Sequence, residues 1–297
     1  MPNTIRPSIS KALLLCNLLL LVLAPSLTRA QSEWAVTGQY EFSDWAGPKL
    51  KVFYSIPPQM DADSQIVVVI PGAKRNADQY RDEWDHLAVA NQFITLVVEA
   101  AIKSFPTEFE YNLGGVIDSS GNQRPENEWL FTAIDPLFDD FKNRFGSNRK
   151  TYNLYGHSAG GGFVHRFLLF KPDAKVNKAV AANPAFATLP DYEKDFPFGL
   201  RGVNLPENAV ENWLEKSLVL LLGDRDRDPR THPLSNSFAA QQQGPHVLAR
   251  GMQLYQSALL AAGSQHSGLV WQLEVVPRVG HSNAHMASYA VKHLLHE

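Results

Sequence analysis

Residues 151–170 read TYNLYGHSAGGGFVHRFLLF. Tyr152 to Tyr155 is an apolar run of strand length, and Phe163, Val164, Phe167 and Leu168 recur at helical spacing. Between them stands Gly156-His157-Ser158-Ala159-Gly160, a Gly-x-Ser-x-Gly pentapeptide at a strand-to-helix junction. A serine on so tight a turn needs small neighbours two residues before and after it. Glycine, with no Cβ, relieves that crowding. The turn exposes the hydroxyl and sets the free N–H groups of a helix N-terminus beside it. The stretch therefore predicts a nucleophile at Ser158, provided the chain also supplies a base, an acid and an oxyanion hole in matching order.

Outward from this stretch, strands alternate with helices. Trp34 to Tyr40 and Leu50 to Ile56 read as two antiparallel opening strands, the second ended by Pro57-Pro58. Ile66 to Ile70, IVVVI, is a continuous β-branched run expected to be buried on both faces. Tyr80, Trp84, Leu87 and Ala88 mark a helix, and Phe93 to Val98 another buried strand. Glu99 to Gln123 lacks periodicity and reads as a long loop; Glu126 to Phe145 is amphipathic and reads as one helix. Val176 to Ala182, Ser217 to Leu222 and Leu269 to Val276 give strands, and Val247 to Ala262 and Asn283 to Leu295 helices. Asn183 to Lys216 is irregular and rich in Pro, Phe and Trp. The pattern predicts an α/β fold, a mostly parallel sheet covered on both faces. Its site should lie at the carboxyl ends of the strands.

Those ends carry the polar residues. After Leu222 comes Gly223-Asp224-Arg225-Asp226-Arg227-Asp228-Pro229, and after Val276 comes Pro277-Arg278-Val279-Gly280-His281. The order Ser158, Asp, His281 is that of a nucleophile, an acid and a base on such a sheet. A neutral imidazole must take the serine proton, and a carboxylate must fix its tautomer. Asp226, three residues past Gly223, is the favoured acid and Asp228 the second. A calcium loop is the rival reading of D-x-D-x-D, but Pro229 follows where a flexible glycine is needed. His157 is expected to hydrogen-bond under the turn. His285 lies four residues after His281, a spacing open to metal, yet the H-E-x-x-H pattern is absent and no metal is expected. An oxyanion hole needs two N–H donors. Ala159 is one candidate and Ala73, in Pro71-Gly72-Ala73 after the IVVVI strand, the other. Pocket walls are expected from Tyr111-Asn112, from the irregular insertion with Phe186, and from the loop after Asp226. Most of the insertion's aromatics are expected to form the core of a small cap rather than to meet substrate.

Residues 1–30 form a separate signal. Arg6 and Lys11 precede the apolar run Ala12 to Ala24, and Thr28-Arg29-Ala30 offers small residues at a cleavage site. The reading is a secretory signal peptide over 1–30 and a single catalytic domain over 31–297. About a dozen apolar residues is short for a membrane span of ~20, so no stable anchor is expected after cleavage. Cys16, the one cysteine, lies in that leader, which excludes a disulfide framework and a thiolate site from the mature chain. Losing the leader's three basic residues and no acid takes the formal charge from −3 to −6. With no basic run, nucleic acid is excluded as a partner.

GHSAG, the Asp-then-His order and PGAKRNADQY after the third strand together resemble the α/β-hydrolase superfamily. The likeness is nearest to exported esterases of the polyhydroxybutyrate depolymerase and feruloyl esterase type, and it runs from Trp34 onward. It implies about eight strands, helices on both faces and a small cap insertion. It also implies Ser158 as nucleophile, Asp226 as acid, His281 as base, and Ala73 and Ala159 as oxyanion donors. Pro71 stands where many members have His. The activity implied is ester hydrolysis through an acyl-enzyme, on a small-molecule or oligomeric ester, in a secreted or periplasmic setting and without a cofactor. Two alternatives stay open: a peptidase or amidase on the same triad, and a non-catalytic binding protein on this scaffold.

Overall fold

The computed structural model describes Met1 and residues 36–227, 234–265 and 268–295. The expected signal peptide and Asp228 lie outside the described residues. Every element below belongs to one compact unit, Ser32–Glu297.

The elements are β1 (Val36–Phe42), β2 (Leu50–Ile56), β3 (Ile66–Ile70), α1 (Ala77–Asn91), β4 (Ile94–Glu99), α2 (Ile134–Phe145), β5 (Tyr152–His157), α3 (Ala159–Phe170), β6 (Val176–Ala182), α4 (Ala209–Leu214), β7 (Leu218–Gly223), α5 (Phe238–Gln242), α6 (Val247–Gln265), β8 (Gln272–Val276) and α7 (Asn283–Leu295). The strands form one eight-stranded open sheet in the order β1-β2-β4-β3-β5-β6-β7-β8. β1 and β2 run antiparallel to their neighbours, and the rest of the sheet is parallel. This is the α/β-hydrolase architecture.

β3 shows why the IVVVI run sits at the centre. All five residues are buried. Ile66, Val68 and Ile70 feed the core on one face, with α2, α3 and α6, while Val67 and Val69 feed the other, with α1 and α7. Successive strand side chains point to opposite faces, so an unbroken apolar run fits only a strand covered on both. Four parallel pairings then bring the carboxyl ends of β3, β5, β6, β7 and β8 to one edge.

Two elements differ from expectation. The amphipathic stretch from Glu126 is not one helix: two short 3-10 turns, Glu126–Glu128 and Leu130–Ala133, precede α2. Pro136 explains the break, since it lacks an N–H and tolerates only the first turn of an α-helix. β8 begins at Gln272 rather than Leu269. Val270 N–H instead donates to Leu214 O at 3.0 Å, and Trp271 Nε1 to Trp213 O at 2.7 Å. The irregular insertion buries Trp213 completely and leaves Tyr192 60% exposed, so most of its aromatics pack the body or face outward instead of lining a pocket. Among the described residues no helix is long and apolar enough to cross a membrane.

Candidate active site

β5 ends at His157 and α3 begins at Ala159, leaving Ser158 alone on the turn at φ 59°, ψ −116°. That left-handed φ is uncommon for a non-glycine residue and marks a strained backbone. The flanking glycines explain how the turn fits. A Cβ on Gly156 would lie 2.1 Å from Gly160 O, and one on Gly160 would lie 2.0 Å from Ile70 O. Ser158 N–H donates to Ala182 O (2.9 Å), and Gly162 N–H returns to Ser158 O (3.0 Å), tying the turn to β6 and to its own helix.

Asp226 and His281 come from the ends of β7 and β8. Residues 224–227 form a turn, in which Asp226 N–H donates to Gly223 O at 3.1 Å. Asp226 is 3% exposed, and its Oδ2 lies 2.6 Å from His281 Nδ1. Of the two acids weighed, Asp226 is thus placed against the imidazole. Ser158, Asp226 and His281 line one cavity of about 1050 Å³, together with Ala73, Ala159, Tyr111, Asn112 and Phe186. The eight residues singled out in the sequence therefore meet in one place.

Their surroundings assign finer parts. Tyr111 and Asn112 face the cavity but are buried, and the Tyr111 hydroxyl donates to Pro71 O at 2.6 Å. Tyr111 therefore braces the loop after β3 with its hydroxyl proton. His157 lies beneath the turn as expected, with Nδ1 3.1 Å from the Tyr80 hydroxyl and its ring 4.6 Å from that of His281. Burial pushes the Tyr80 phenol well above its ordinary range, so it stays protonated. It can then accept from Gly72 N–H (3.0 Å) while donating to His157. Among the described residues, no group of three or more His, Cys, Asp or Glu gathers as a metal would need.

The sequence assigns no part in this site to three of its residues: Arg75 and Tyr80, which lie within the PGAKRNADQY stretch, and Asn183. Asn183, fully buried at the end of β6 with φ 45°, accepts from Gly223 N–H (2.8 Å) and donates to Gly280 O (3.2 Å). One side chain therefore joins the loop bearing Asp226 to the loop bearing His281. An Asn that ends a strand is the only hint in the sequence, and it is a weak one.

Known structures give this arrangement its relatives. The poly(aspartic acid) hydrolase-1 of Sphingomonas sp. KT-1 is 42% identical, with a TM-score of 0.84 over 87% of this chain and 98% of that one. The poly(3-hydroxybutyrate) depolymerase LpqC of Bordetella parapertussis is 31% identical, with a TM-score of 0.82 over 87% and 88%. The siderophore hydrolase EstB of Aspergillus nidulans, 14% identical at a TM-score of 0.55, shares the fold alone. No protein-family model and no curated protein matches. The chain is an α/β-hydrolase. Within that superfamily it belongs to the family that holds the Sphingomonas and Bordetella enzymes, and a hydrolase role follows from that membership.

Proposed function

We propose that this chain is an exported serine hydrolase that cleaves carboxylic esters through an acyl-enzyme. The observation that carries the reading is the 2.6 Å contact of Asp226 with His281, at the rim of the cavity into which the strained Ser158 turn projects. In this mechanism Ser158 Oγ attacks the carbonyl carbon and its proton passes to His281 Nε2. The Nδ1–H of the resulting imidazolium donates to Asp226 Oδ2, which holds the tautomer and offsets the charge. The carbonyl oxygen becomes an oxyanion held by the N–H groups of Ala73 and Ala159. Collapse breaks the C–O bond, and the leaving alkoxide takes the proton from His281. Water, deprotonated by the same imidazole, then attacks the acyl-enzyme and frees the acid and Ser158.

The ester assignment draws on the 31% identical relative, whose name is that of a polyester depolymerase. An amide reading has its own support, since the 42% identical relative is named for hydrolysing poly(aspartic acid). The residues would act identically, with His281 protonating a leaving amine. A cavity of about 1050 Å³ exceeds what one short acyl group fills, which suits an oligomeric substrate in either case. Export rests on the N-terminal sequence pattern.

The test is hydrolysis of p-nitrophenyl esters of rising chain length by the mature protein, beside Ser158→Ala and beside poly(aspartic acid). Turnover of short esters, abolished by Ser158→Ala, supports the ester reading. Turnover of the polyamide alone shifts it to amidase. Inertness on both, with no covalent labelling of Ser158 by a fluorophosphonate, leaves a binding protein on a hydrolase scaffold.

A further inference from the structure

The loop Pro71-Gly72-Ala73 is pinned one peptide plane at a time. In the first plane, Pro71 O accepts from the Tyr111 hydroxyl (2.6 Å), and Gly72 N–H donates to the Tyr80 hydroxyl (3.0 Å). In the second, Gly72 O accepts from Arg75 N–H at 3.0 Å. In the third, Ala73 O accepts from Arg75 Nη1 at 3.1 Å. Within this sequence of planes, Ala73 N–H makes no hydrogen bond among the described residues. Gly72 N–H is turned away to Tyr80 and is unavailable to a substrate.

Arg75 makes the other half of the device. Its backbone lies at φ 56°, a left-handed conformation uncommon outside glycine, which folds its side chain back over the loop it follows. The guanidinium stacks 3.7 Å above the Tyr111 ring. Its Nη2 donates to Phe105 O (3.3 Å) and Thr107 O (3.5 Å). Pro106, Thr107 and Glu108 form one wall of the cavity. The residue is 8% exposed, and three of its side-chain hydrogen bonds end on carbonyl oxygens of the surrounding loops. A guanidinium presents donors in a fixed planar fork, suited to tying several carbonyls at once.

We infer that Arg75 and Tyr111 are positioning residues for the oxyanion donor: as a stacked pair they fix the Ala73 N–H against the cavity wall without touching substrate. The inference rests on the serine-hydrolase reading above. Its physical content is that the N–H is worth most when it is already aimed at the place where charge develops. Loosening the pair should leave ground-state binding intact and weaken stabilisation of the tetrahedral state.

The experiment compares wild type with Tyr111→Phe, Arg75→Lys and Arg75→Met. Tyr111→Phe removes one hydrogen bond and keeps the ring under the guanidinium, so it is the variant expected to fold normally. For each protein, kcat and KM on p-nitrophenyl butyrate, the rate of Ser158 labelling by a fluorophosphonate and the thermal midpoint are measured. Removing an oxyanion donor costs about 10²–10³ in kcat, so misplacing one should cost about tenfold or more. The expected result for Tyr111→Phe is that loss with KM within about twofold, labelling slowed in parallel and the midpoint retained. Arg75→Lys, which keeps one charged donor, should fall between wild type and Arg75→Met. A kcat within about twofold of wild type in Tyr111→Phe overturns the inference, as does a rise in KM at unchanged kcat, which would make the pair a substrate wall. If butyrate is not a substrate, the labelling rates decide alone. A wild type that is neither labelled nor active overturns the serine-hydrolase reading first, and this inference with it.

Discussion

At the scale of single residues, the contact between Asp226 and His281 makes a sharp prediction. Asp226 Oδ2 accepts from His281 Nδ1 at 2.6 Å in a buried position. Asp226→Asn presents an amide that favours the wrong imidazole tautomer, and kcat on p-nitrophenyl butyrate should fall by about 10³–10⁴. Retention within tenfold would move the acid role to another carboxylate, Asp228 first. Gly160 makes a second prediction. Its missing Cβ would lie 2.0 Å from Ile70 O and 2.7 Å from Pro71 O. Gly160→Ala must push the elbow away from the oxyanion loop, at about 1–3 kcal/mol of stability and with most of the activity lost. Urea unfolding and ester kinetics on the same preparation would check both halves. That Ser158, Asp226 and His281 would line one cavity was legible in the sequence, because the fold brings the strand ends that carry them together. The parts of Tyr80, Arg75 and Asn183 were not. Their residue types are generic, and the partners of Asn183 lie 40 and 97 residues further along the chain.

At the scale of elements, strands were easier to read than helix starts. An all-apolar run such as β3 has one comfortable home, whereas Glu126 to Phe145 keeps its apolar face while Pro136 sets the helix start inside it. The Trp271 indole likewise overrode a strand pattern by bonding to Trp213 O. The packing of α7 on β8 gives a prediction in pH. Glu274 on β8 bonds to Lys292 (2.8 Å) and His293 (2.5 Å) of α7. Partial burial opposes its ionisation, but the hydrogen bonds from Lys292 and His293 outweigh that and hold its carboxyl below the ordinary 4.5. A carboxylate with a lowered folded-state pKa adds stability that is present above its unfolded value. That stability is lost as the pH falls through the folded one. Glu274→Gln should therefore destabilise by up to about 1 kcal/mol near neutrality, a small figure because the group is partly solvated. The gap should close as the pH falls below that ordinary value. Urea titrations of both proteins across that range would show it. A gap that persists in acid would mean packing, not charge, is at work.

At the scale of the whole molecule, the sheet divides the interior into two apolar clusters, yet the strands belong to both. β5 sends Leu154 to one and Tyr155 to the other, and β6 divides Ala181 and Val180 in the same way. α3 and α7 pack on these two strands from opposite sides. The alternation that made the fold class legible thus also makes the two faces one cooperative structure. Val164 on α3 and Val291 on α7 probe it, one buried in each cluster. Each Val→Ala change should lower stability by about 1–3 kcal/mol through lost burial and the cavity left behind. The side chains share no contact across the sheet, so the double variant should lose the sum to within about 0.5 kcal/mol. Tryptophan fluorescence and far-UV circular dichroism should report a single urea transition in all four proteins. A second transition in either single variant would mean that the faces unfold separately.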